Sequence, residues 1–281
     1  MLKPERYGRI VQIVNERGSA TVEELSEALN ASKATIRRDL VKLEEDHAIL
    51  RTHGGAMKCS HFLTTEVPIY LRINMQKEEK ELVGAAASQL VEEGSTIYIS
   101  AGTTGRMLAS NLQRFHHLTV VTNDIEIARE IASTDNDLVV IGGHLKDSSS
   151  TLYGFFSEQM IQQLHFDIAF MAADAVDMQK GFMDFNTDEI GIKRLALASA
   201  AKSVMMCDAC KFNLPAFVHI CPFSSVYAVV TNENTAPEDV AILQDNGVNV
   251  ILAPAVSPTK EEKKTSHRRI QKDVPTHKSN T

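Results

Sequence analysis

Seven short runs of β-branched and apolar residues alternate with helical patterns over residues 94–253, and this alternation is the feature that most constrains the fold. The predicted strands are residues 95–100, 118–122, 138–141, 166–172, 203–207, 226–230 and 248–252. The predicted helices between them are residues 105–112, 125–131, 155–164, 188–201 and 237–244. Strands that alternate with helices form mostly parallel sheets covered by helices. The sequence therefore predicts an α/β domain.

Polar loops follow three of the predicted strands, where the ligands of parallel sheets usually bind because helix N-termini present free N–H groups there. Residues 100–105, Ser-Ala-Gly-Thr-Thr-Gly, end the first strand and open a helix, which predicts an anion-binding loop. Thr122 and Asn123 end the second strand, and Gly142 and Gly143 end the third. Each loop alone is more often a helix cap or an ordinary turn, but three such loops in succession favour a ligand-binding site. None matches a Walker A or dinucleotide-binding motif.

Charged residues follow the later strands. They are Asp174, Asp177, Glu189, Lys193, Asp208 and Lys211. Glu189 and Lys193 are four positions apart on a predicted helix, so an ordinary salt bridge explains them as well as a binding site does. Their spacing alone leaves both interpretations open.

A second module is predicted before residue 59. Ser32 is a favourable helix N-cap, and Ile36, Leu40 and Leu43 recur at the spacing of a buried stripe. The remaining surface of the first two turns is small and basic, and it carries Lys33, Ala34, Thr35, Arg37 and Arg38. An Arg-Arg pair alone is more often a solvated face, but here it lies on a helix of the kind that enters a DNA groove.

The flanking residues strengthen this interpretation. A first helix is predicted over residues 4–16, and Thr21 with Glu24 forms a capping box that opens a second helix ending at residue 29. Residues 49–57 alternate around a Gly-Gly pair, which predicts a two-stranded wing with Arg51 and His53 near DNA phosphates. The order of these elements predicts a winged helix-turn-helix.

These residues resemble the winged helix-turn-helix of the DeoR family of bacterial transcriptional regulators. The resemblance rests on Thr21-Val22-Glu23-Glu24-Leu25, on the run from Ser32 to Leu40 with Thr35-Ile36-Arg37-Arg38-Asp39 inside it, and on Arg51-Thr52-His53-Gly54-Gly55-Ala56. It implies double-stranded operator DNA as a partner. The implied DNA-binding residues are Ser32, Lys33, Ala34, Thr35, Arg37, Arg38, Arg51 and His53.

The second half resembles the effector domain of the same family, up to about residue 253. The matching motifs are Ser100-Ala101-Gly102-Thr103-Thr104, Thr122-Asn123, Gly142-Gly143 with Gly154, Asp167 to Asp174, Glu189 to Arg194 and Asp208 to Phe212. The resemblance implies a Rossmann-like fold similar to ribose-5-phosphate isomerase and glucosamine-6-phosphate deaminase. It implies that Gly102, Thr103 and Thr104 hold the phosphate of a phosphorylated sugar. Lys193 and Lys211 would face this effector, Asp174, Glu189 and Asp208 would bind its hydroxyls, and Thr122, Asn123, Gly142 and Gly143 would complete the site.

Charge is distributed unevenly along the 281 residues, whose net charge is −7. Residues 1–58 carry 10 basic and 9 acidic side chains, whereas residues 59–256 carry 12 and 24. The acidic middle would repel DNA, so we expect DNA contact only in the first module. No apolar leader or membrane-spanning run is apparent, which predicts a cytoplasmic protein without membrane partners. Cys207 and Cys210 form a lone C-x-x-C, more consistent with a reduced pair than with zinc or redox chemistry, and we expect neither metal nor cofactor.

The sequence thus predicts a winged helix-turn-helix over residues 1–58, a linker over 59–74, an α/β sugar-phosphate sensor domain over 75–256 and a disordered basic tail over 257–281. A helix is predicted from residue 67 to residue 90. We expect a transcriptional regulator, most simply a repressor of a carbohydrate-utilisation operon, acting as a homodimer or homotetramer. The main alternative is a phosphosugar isomerase or deaminase with an appended DNA-binding module. A further alternative is a winged helix that binds protein.

Overall fold

The structure is a computed structural model that describes residues 1–46, 48–58, 67–146 and 149–254. Residues 59–66 of the predicted linker and the whole predicted tail over residues 257–281 lie outside the described residues. The description below applies to the remaining chain.

The first module contains three helices and a small sheet. In chain order its elements are α1 (Lys3–Arg17), β1 (Ser19–Thr21), α2 (Val22–Ala28), α3 (Lys33–Glu45), β2 (Leu50–Thr52) and β3 (Gly55–Met57). The Thr21 side chain and Glu24 form the predicted capping box at the start of α2, and Ser32 caps α3 by accepting from the N–H of Thr35. Strands β2 and β3 form the predicted wing. The winged helix-turn-helix is therefore confirmed.

Strand β1 was not predicted. It pairs antiparallel with β3, so that the sheet order is β1-β3-β2. Its three residues, Ser-Ala-Thr, place only Ala20 in the interior, and so short a segment has no readable periodicity. This pairing places β3 of the wing beside β1, the strand that leads directly into α2.

The core of this module joins all its helices. Ile36, Leu40 and Leu43 are buried as their spacing predicts, and they pack with apolar residues of α1 and α2. Asp39, on the same side of α3, is also buried and forms an ion pair with Arg6 of α1, with 2.6 Å between Nε and Oδ2. This bridge fixes α3 on α1.

The predicted continuous helix from residue 67 to residue 90 is wrong. The structure has α4 (Ile69–Arg72), a turn, α5 (Lys77–Ala87) and a 3₁₀ turn at Ser88–Leu90. Gln76 adopts a left-handed conformation with φ 49°, which interrupts the helical path. Neither Gly nor Pro marks this break in residues 69–76, so the sequence carries no usual sign of it.

The second half is built on a parallel sheet. After α5 its elements are, in chain order, β4 (Thr96–Ile99), α6 (Thr103–Ser110), β5 (Thr119–Thr122), α7 (Ile125–Ile131), β6 (Asp137–Val140), β7 (His144–Leu145), β8 (Leu152–Tyr153), α8 (Phe155–Ile161), β9 (Phe166–Ala172), β10 (Ala175–Asp177), β11 (Gly181–Asp184), α9 (Ile190–Ala198), β12 (Ala200–Met206), β13 (Val218–Cys221), β14 (Ala228–Asn232), α10 (Pro237–Asp245) and β15 (Asn249–Ala253). All seven predicted strands are present in it.

The seven strands pair in the order β15-β14-β12-β9-β4-β5-β6, and every pair is parallel. Helices cover both faces: α5, α6 and α7 pack on one side, and α8, α9 and α10 pack on the other. Consecutive residues of a strand alternate between the two cores, as Phe170 and Met171 of β9 do. The predicted α/β class is confirmed.

The strand order places a switch point between β4 and β9. The chain moves outward from β4 through β5 and β6, and then returns to the other side of β4 with β9. The loops that leave the carboxyl ends of β4 and β9 therefore run in opposite directions and leave a crevice between them. Parallel sheets bind their ligands in such a crevice. The small antiparallel pair β7-β8 and the sheet β10-β11-β13, which were not predicted, border this end.

Candidate functional site

The outer face of α3 presents two exposed arginines, Arg37 and Arg38. Within the described residues neither side chain makes a hydrogen bond or an ion pair. Their guanidinium groups are therefore available to DNA, on the side of α3 opposite its buried stripe. Ala34 is also exposed on this side and leaves room for a close approach.

Four other predicted DNA contacts already have partners inside the module. Lys33 forms an exposed ion pair with Glu23 at 2.6 Å, and the Ser32 and Thr35 hydroxyls lie 2.9 Å apart at the helix cap. Arg51 in the wing pairs with Glu44 at 3.3 Å. These four side chains would need to exchange partners to contact DNA, whereas Arg37 and Arg38 would not. His53 lies exposed in the turn between β2 and β3.

A cavity lies at the carboxyl ends of β4 and β9, where the switch point predicts a site. Seven predicted effector residues line it: Gly102, Thr103, Thr104, Asp174, Glu189, Lys193 and Lys211. Residues that were not predicted also line it, including Ile69, Arg72, Ser149, Thr151, Asp184 and Asn186. The cavity volume is about 30 Å³, room for a few water molecules at most. A sugar phosphate therefore requires some lining residues to move.

The start of α6 forms one wall of the cavity. Gly102 caps this helix with φ 131°, a conformation that residues with a side chain rarely adopt. The first helical hydrogen bond runs from the N–H of Arg106 to the carbonyl of Gly102. The N–H groups of Thr103, Thr104 and Gly105 precede that bond and have no partner inside the helix. Such a helix start favours an anion.

Buried polar residues hold this loop in place. The Asn123 side-chain oxygen accepts from the Tyr98 hydroxyl at 2.9 Å and from the N–H of Ala101 at 3.3 Å. Asp124 accepts from the N–H of Gly102 at 3.3 Å and forms an ion pair with Arg106 at 3.1 Å. The loop that follows β5 thus fixes the loop that follows β4.

Most charges around the cavity are paired. Arg72 contacts Asp174 at 3.0 Å, Lys193 contacts Asp184, and Lys146 lies 3.6 Å from Glu189. The N–H of Lys211 donates to the carbonyl of Asp208, but its ammonium makes no hydrogen bond or ion pair with any residue in the described ranges. The cavity therefore holds one lysine whose charge is not matched by a direct partner.

The pKa shifts keep Asp174 and Lys211 charged at neutral pH, whereas burial raises the pKa of Asp184 well above its ordinary value. Burial opposes ionisation of Asp174, but the Asp184 carboxyl and the charge of Arg72 outweigh it and hold the pKa of Asp174 well below its ordinary value. Burial also lowers the pKa of Lys211, yet Asp208 and Asp174 raise it above its ordinary value. Lys211 is consequently a cation, and the ion pair between Arg72 and Asp174 persists through the neutral range.

Five predicted effector residues do not line the cavity. The Thr122 hydroxyl donates to the carbonyl of Ile99, and Asn123 supports the loop after β4 as described above. The carbonyl of Gly142 accepts from Ser157, and Gly143 packs against Tyr153. Asp208 is fully buried and accepts from the N–H of Cys210. These residues shape the walls of the site and do not face its interior.

Two important lining residues were missed. Asp184 ends β11, a strand that was not predicted, and its buried carboxylate binds Lys193. Arg72 comes from α4, before the α/β domain begins, and nothing in its sequence neighbourhood connects it with Asp174. Both depend on contacts between segments that are distant in sequence.

The described part of the chain contains no helix that is long and apolar enough to cross a membrane. In the same residues, no group of three or more His, Cys, Asp or Glu side chains is arranged to hold a metal ion.

An exposed basic recognition helix, joined to an α/β domain with a charged cavity at its switch point, is the architecture of a transcription regulator with a sensor domain. Comparison with known proteins agrees: the DeoR-like helix-turn-helix domain matches residues 6–62, and the DeoR C terminal sensor domain matches residues 75–233. The chain belongs to the DeoR family of transcriptional regulators.

The matched relatives are regulators of similar length. The HTH-type transcriptional regulator YulB of Bacillus subtilis is 31% identical over 261 residues, which cover 90% of this chain and 98% of YulB. The glycerol-3-phosphate regulon repressor of Escherichia coli is 31% identical over 245 residues, 87% of this chain and 95% of that protein. Among solved structures, ribose 5-phosphate isomerase A of Methanocaldococcus jannaschii overlaps 49% of this chain and 55% of its own, at 17% identity and a TM-score of 0.37.

Proposed function

We propose that this protein is a repressor that binds operator DNA through α3 and the wing, and that a phosphorylated sugar or polyol in the cavity controls this binding. The observation that carries the proposal is that one cavity combines the open N-terminus of α6 with Lys211, a half-buried cation whose ammonium has no direct partner among the described residues. Both features favour an anionic group. A glycerol-3-phosphate regulon repressor among the relatives supports a phosphorylated ligand.

The carboxylates of the cavity suit the rest of such a ligand. Asp174, Asp184 and Glu189 line the same space, and carboxylates accept hydrogen bonds from sugar hydroxyls. A phosphate at one end and several hydroxyls at the other would therefore satisfy both parts of the cavity. Under this proposal Gly102, Thr103, Thr104 and Lys211 bind the phosphate, while Asp174, Glu189 and Lys193 bind the sugar.

The alternative function is phosphosugar isomerisation or deamination. It is favoured by the close grouping of Asp174, Asp184 and Lys193, which would suit proton transfer next to a sugar carbon. Against it, each of these groups is already engaged, Asp174 in an ion pair with Arg72 and Asp184 in an ion pair with Lys193. A turnover assay on the phosphorylated compounds that bind would decide, and we expect binding without conversion.

We propose further that the protein acts as a homodimer or homotetramer. One small helix-turn-helix makes few DNA contacts, and two copies related by symmetry read paired half-sites with much higher affinity. Light scattering of the purified chain tests this. A monomer that binds its operator tightly would contradict it.

The direct test of the proposal begins with selection of bound sequences from random duplex DNA by the full chain. Thermal unfolding is then measured with a panel of phosphorylated sugars and polyols, each paired with its unphosphorylated form. A ligand at a hundred times its Kd adds about 2.7 kcal/mol of stability. We expect stabilisation only by phosphorylated members. Equal effects of both forms would contradict an anion site.

Arg38→Ala and Arg37→Ala are each expected to weaken binding to the selected duplex without changing the fold. An arginine that reads a guanine contributes about 1 to 3 kcal/mol, and its loss relaxes sequence preference. Loss of an arginine that contacts a phosphate instead weakens binding to all DNA sequences alike. We expect Arg38 to have the larger effect on sequence preference. Fluorescence anisotropy at several salt concentrations separates the two cases.

The control for this prediction is Arg129→Ala, which removes an exposed arginine of α7 that pairs with Glu126. Its affinity for the duplex should equal that of the wild type. Unchanged affinity in both α3 variants would remove α3 as the recognition helix.

A further inference from the structure

Three consecutive residues of α4 contact three different parts of the protein. The Tyr70 hydroxyl donates to Asp46, the residue that ends α3. Leu71 is fully buried in the core of the DNA-binding module. Arg72 lines the cavity of the other domain and pairs with Asp174 at 3.0 Å. Helix α4 therefore joins the recognition helix to the cavity, and Leu71 is the single residue between the two contacts.

Helix α4 is held closely on the DNA-binding module. Gly8 of α1 faces it so closely that a Cβ at this position would lie 2.9 Å from the Asn74 Cβ and 3.3 Å from the Leu71 carbonyl oxygen. Gln12 of α1 also contacts Gln76 at 2.8 Å. Because the two backbones meet without intervening side chains, a shift of α4 cannot be absorbed by rotamer changes.

On the other side, α4 is attached to the α/β domain at Arg72. Its carbonyl accepts from Lys80 of α5 at 2.6 Å, and its guanidinium reaches Asp174. Burial lowers the pKa of Lys80 to about 8, so this lysine still donates at neutral pH. Arg72 and Ile69 are the lining residues that α4 contributes.

The small size of the cavity gives Arg72 a particular position. At about 30 Å³ the cavity cannot accept a phosphorylated sugar unless part of its lining moves. Ligand hydroxyls compete with Arg72 for the Asp174 carboxylate, while a phosphate attracts the Arg72 guanidinium itself. Both effects act against the same ion pair.

We propose that the ion pair of Arg72 with Asp174 is the contact through which the cavity controls the DNA-binding module, and that a phosphorylated ligand acts by separating the two. The nature of the ligand rests on the proposed function, but the coupling contact does not. When Arg72 leaves Asp174, α4 loses an attachment to the α/β domain, and the change reaches α1 through Leu71 and α3 through Tyr70. A ligand shifts DNA binding by its different affinity for the two arrangements.

The coupling is tested without any ligand or DNA by amide hydrogen exchange on the full chain. Asp174→Asn weakens the attachment of Arg72 and should increase exchange in α1 and α4 about five-fold or more, at the lower end of typical couplings between sites. Glu189→Gln is the matched control, because Glu189 is a carboxylate of the same cavity whose ion pair, at 3.6 Å, is with Lys146 and not with Arg72. Its changes should remain within the α/β domain.

Unchanged exchange in α1 of the Asp174→Asn variant, or equal changes in both variants, would overturn the proposal. If Asp174→Asn does not fold, Arg72→Gln breaks the same pair from the other side and is read in the same way. Arg72→Gln should also bind the selected duplex at least about five-fold more weakly than the wild type, before any ligand is added. If the wild type selects no duplex, the proposed function fails, while the exchange experiment still decides whether the contact couples the two parts.

Discussion

Thr104→Val and Lys211→Met are each expected to give a protein that binds its operator normally but needs at least tenfold more ligand for release. Both residues line the cavity, and neither belongs to the DNA-binding module. A charge-assisted hydrogen bond contributes about 1.5 to 3 kcal/mol, which corresponds to a tenfold change or more. For a repressor this means persistent repression in the presence of the inducing compound.

The controls for this prediction carry the same chemical changes at the opposite end of the sheet. Thr119→Val lies at the start of β5, and Lys202→Met lies near the start of β12, where its ammonium is 5.4 Å from the Tyr227 ring centroid. Both should respond like the wild type. The measurement is operator binding against ligand concentration. An unchanged midpoint in the Thr104 and Lys211 variants would place the phosphate elsewhere, and loss of operator binding would give this wall a purely structural role.

Asp39→Ala is expected to destabilise the DNA-binding module by about 3 kcal/mol, the largest stability effect we predict for a single substitution. The carboxylate is 4% exposed and pairs with an Arg6 side chain that is 14% exposed, so its removal leaves a largely buried guanidinium without its partner. Hydrogen exchange in α1 and α3 reports this loss separately from unfolding of the α/β domain.

Lys33→Ala is the control that tests whether burial of the ion pair causes the destabilisation. The Lys33–Glu23 pair has the same 2.6 Å separation, but both side chains are 53% exposed. Water screens an exposed ion pair, so the pair contributes little to stability and hydrogen exchange should change little. If Lys33→Ala and Asp39→Ala destabilise the module equally, burial of the Arg6–Asp39 pair is not the cause.

Elements with strong local signals could be predicted from the sequence. The capping box at Thr21, the cap at Ser32 and the apolar stripe of α3 act within a few residues, and each was found where expected. The seven central strands were found as well, since strands buried on both faces appear as runs of apolar residues. The loop at 100–105 was expected to line a site because its chemistry and its position after a strand coincide, and Gly102, Thr103 and Thr104 do line the cavity; its binding of an anion stays a prediction.

The rest depends on contacts that have no local signal. The break at Gln76 lacks Gly or Pro, and it is stabilised by Lys80, which donates to the carbonyls of Arg72 and Met75. Leu71 falls in the predicted linker but is buried in the core of the DNA-binding module. The pairing of Arg72 with Asp174 joins residues 102 positions apart. A single sequence cannot specify which of several charged residues will meet over such a distance.

The central claim is that an anion in the cavity controls DNA binding by α3. The most direct test is the affinity of the full chain for its selected duplex, measured with increasing amounts of the phosphorylated compound that stabilises the protein and, in parallel, of its unphosphorylated form. The account predicts that only the phosphorylated compound lowers the affinity. An affinity that responds to neither compound, or equally to both, would contradict it.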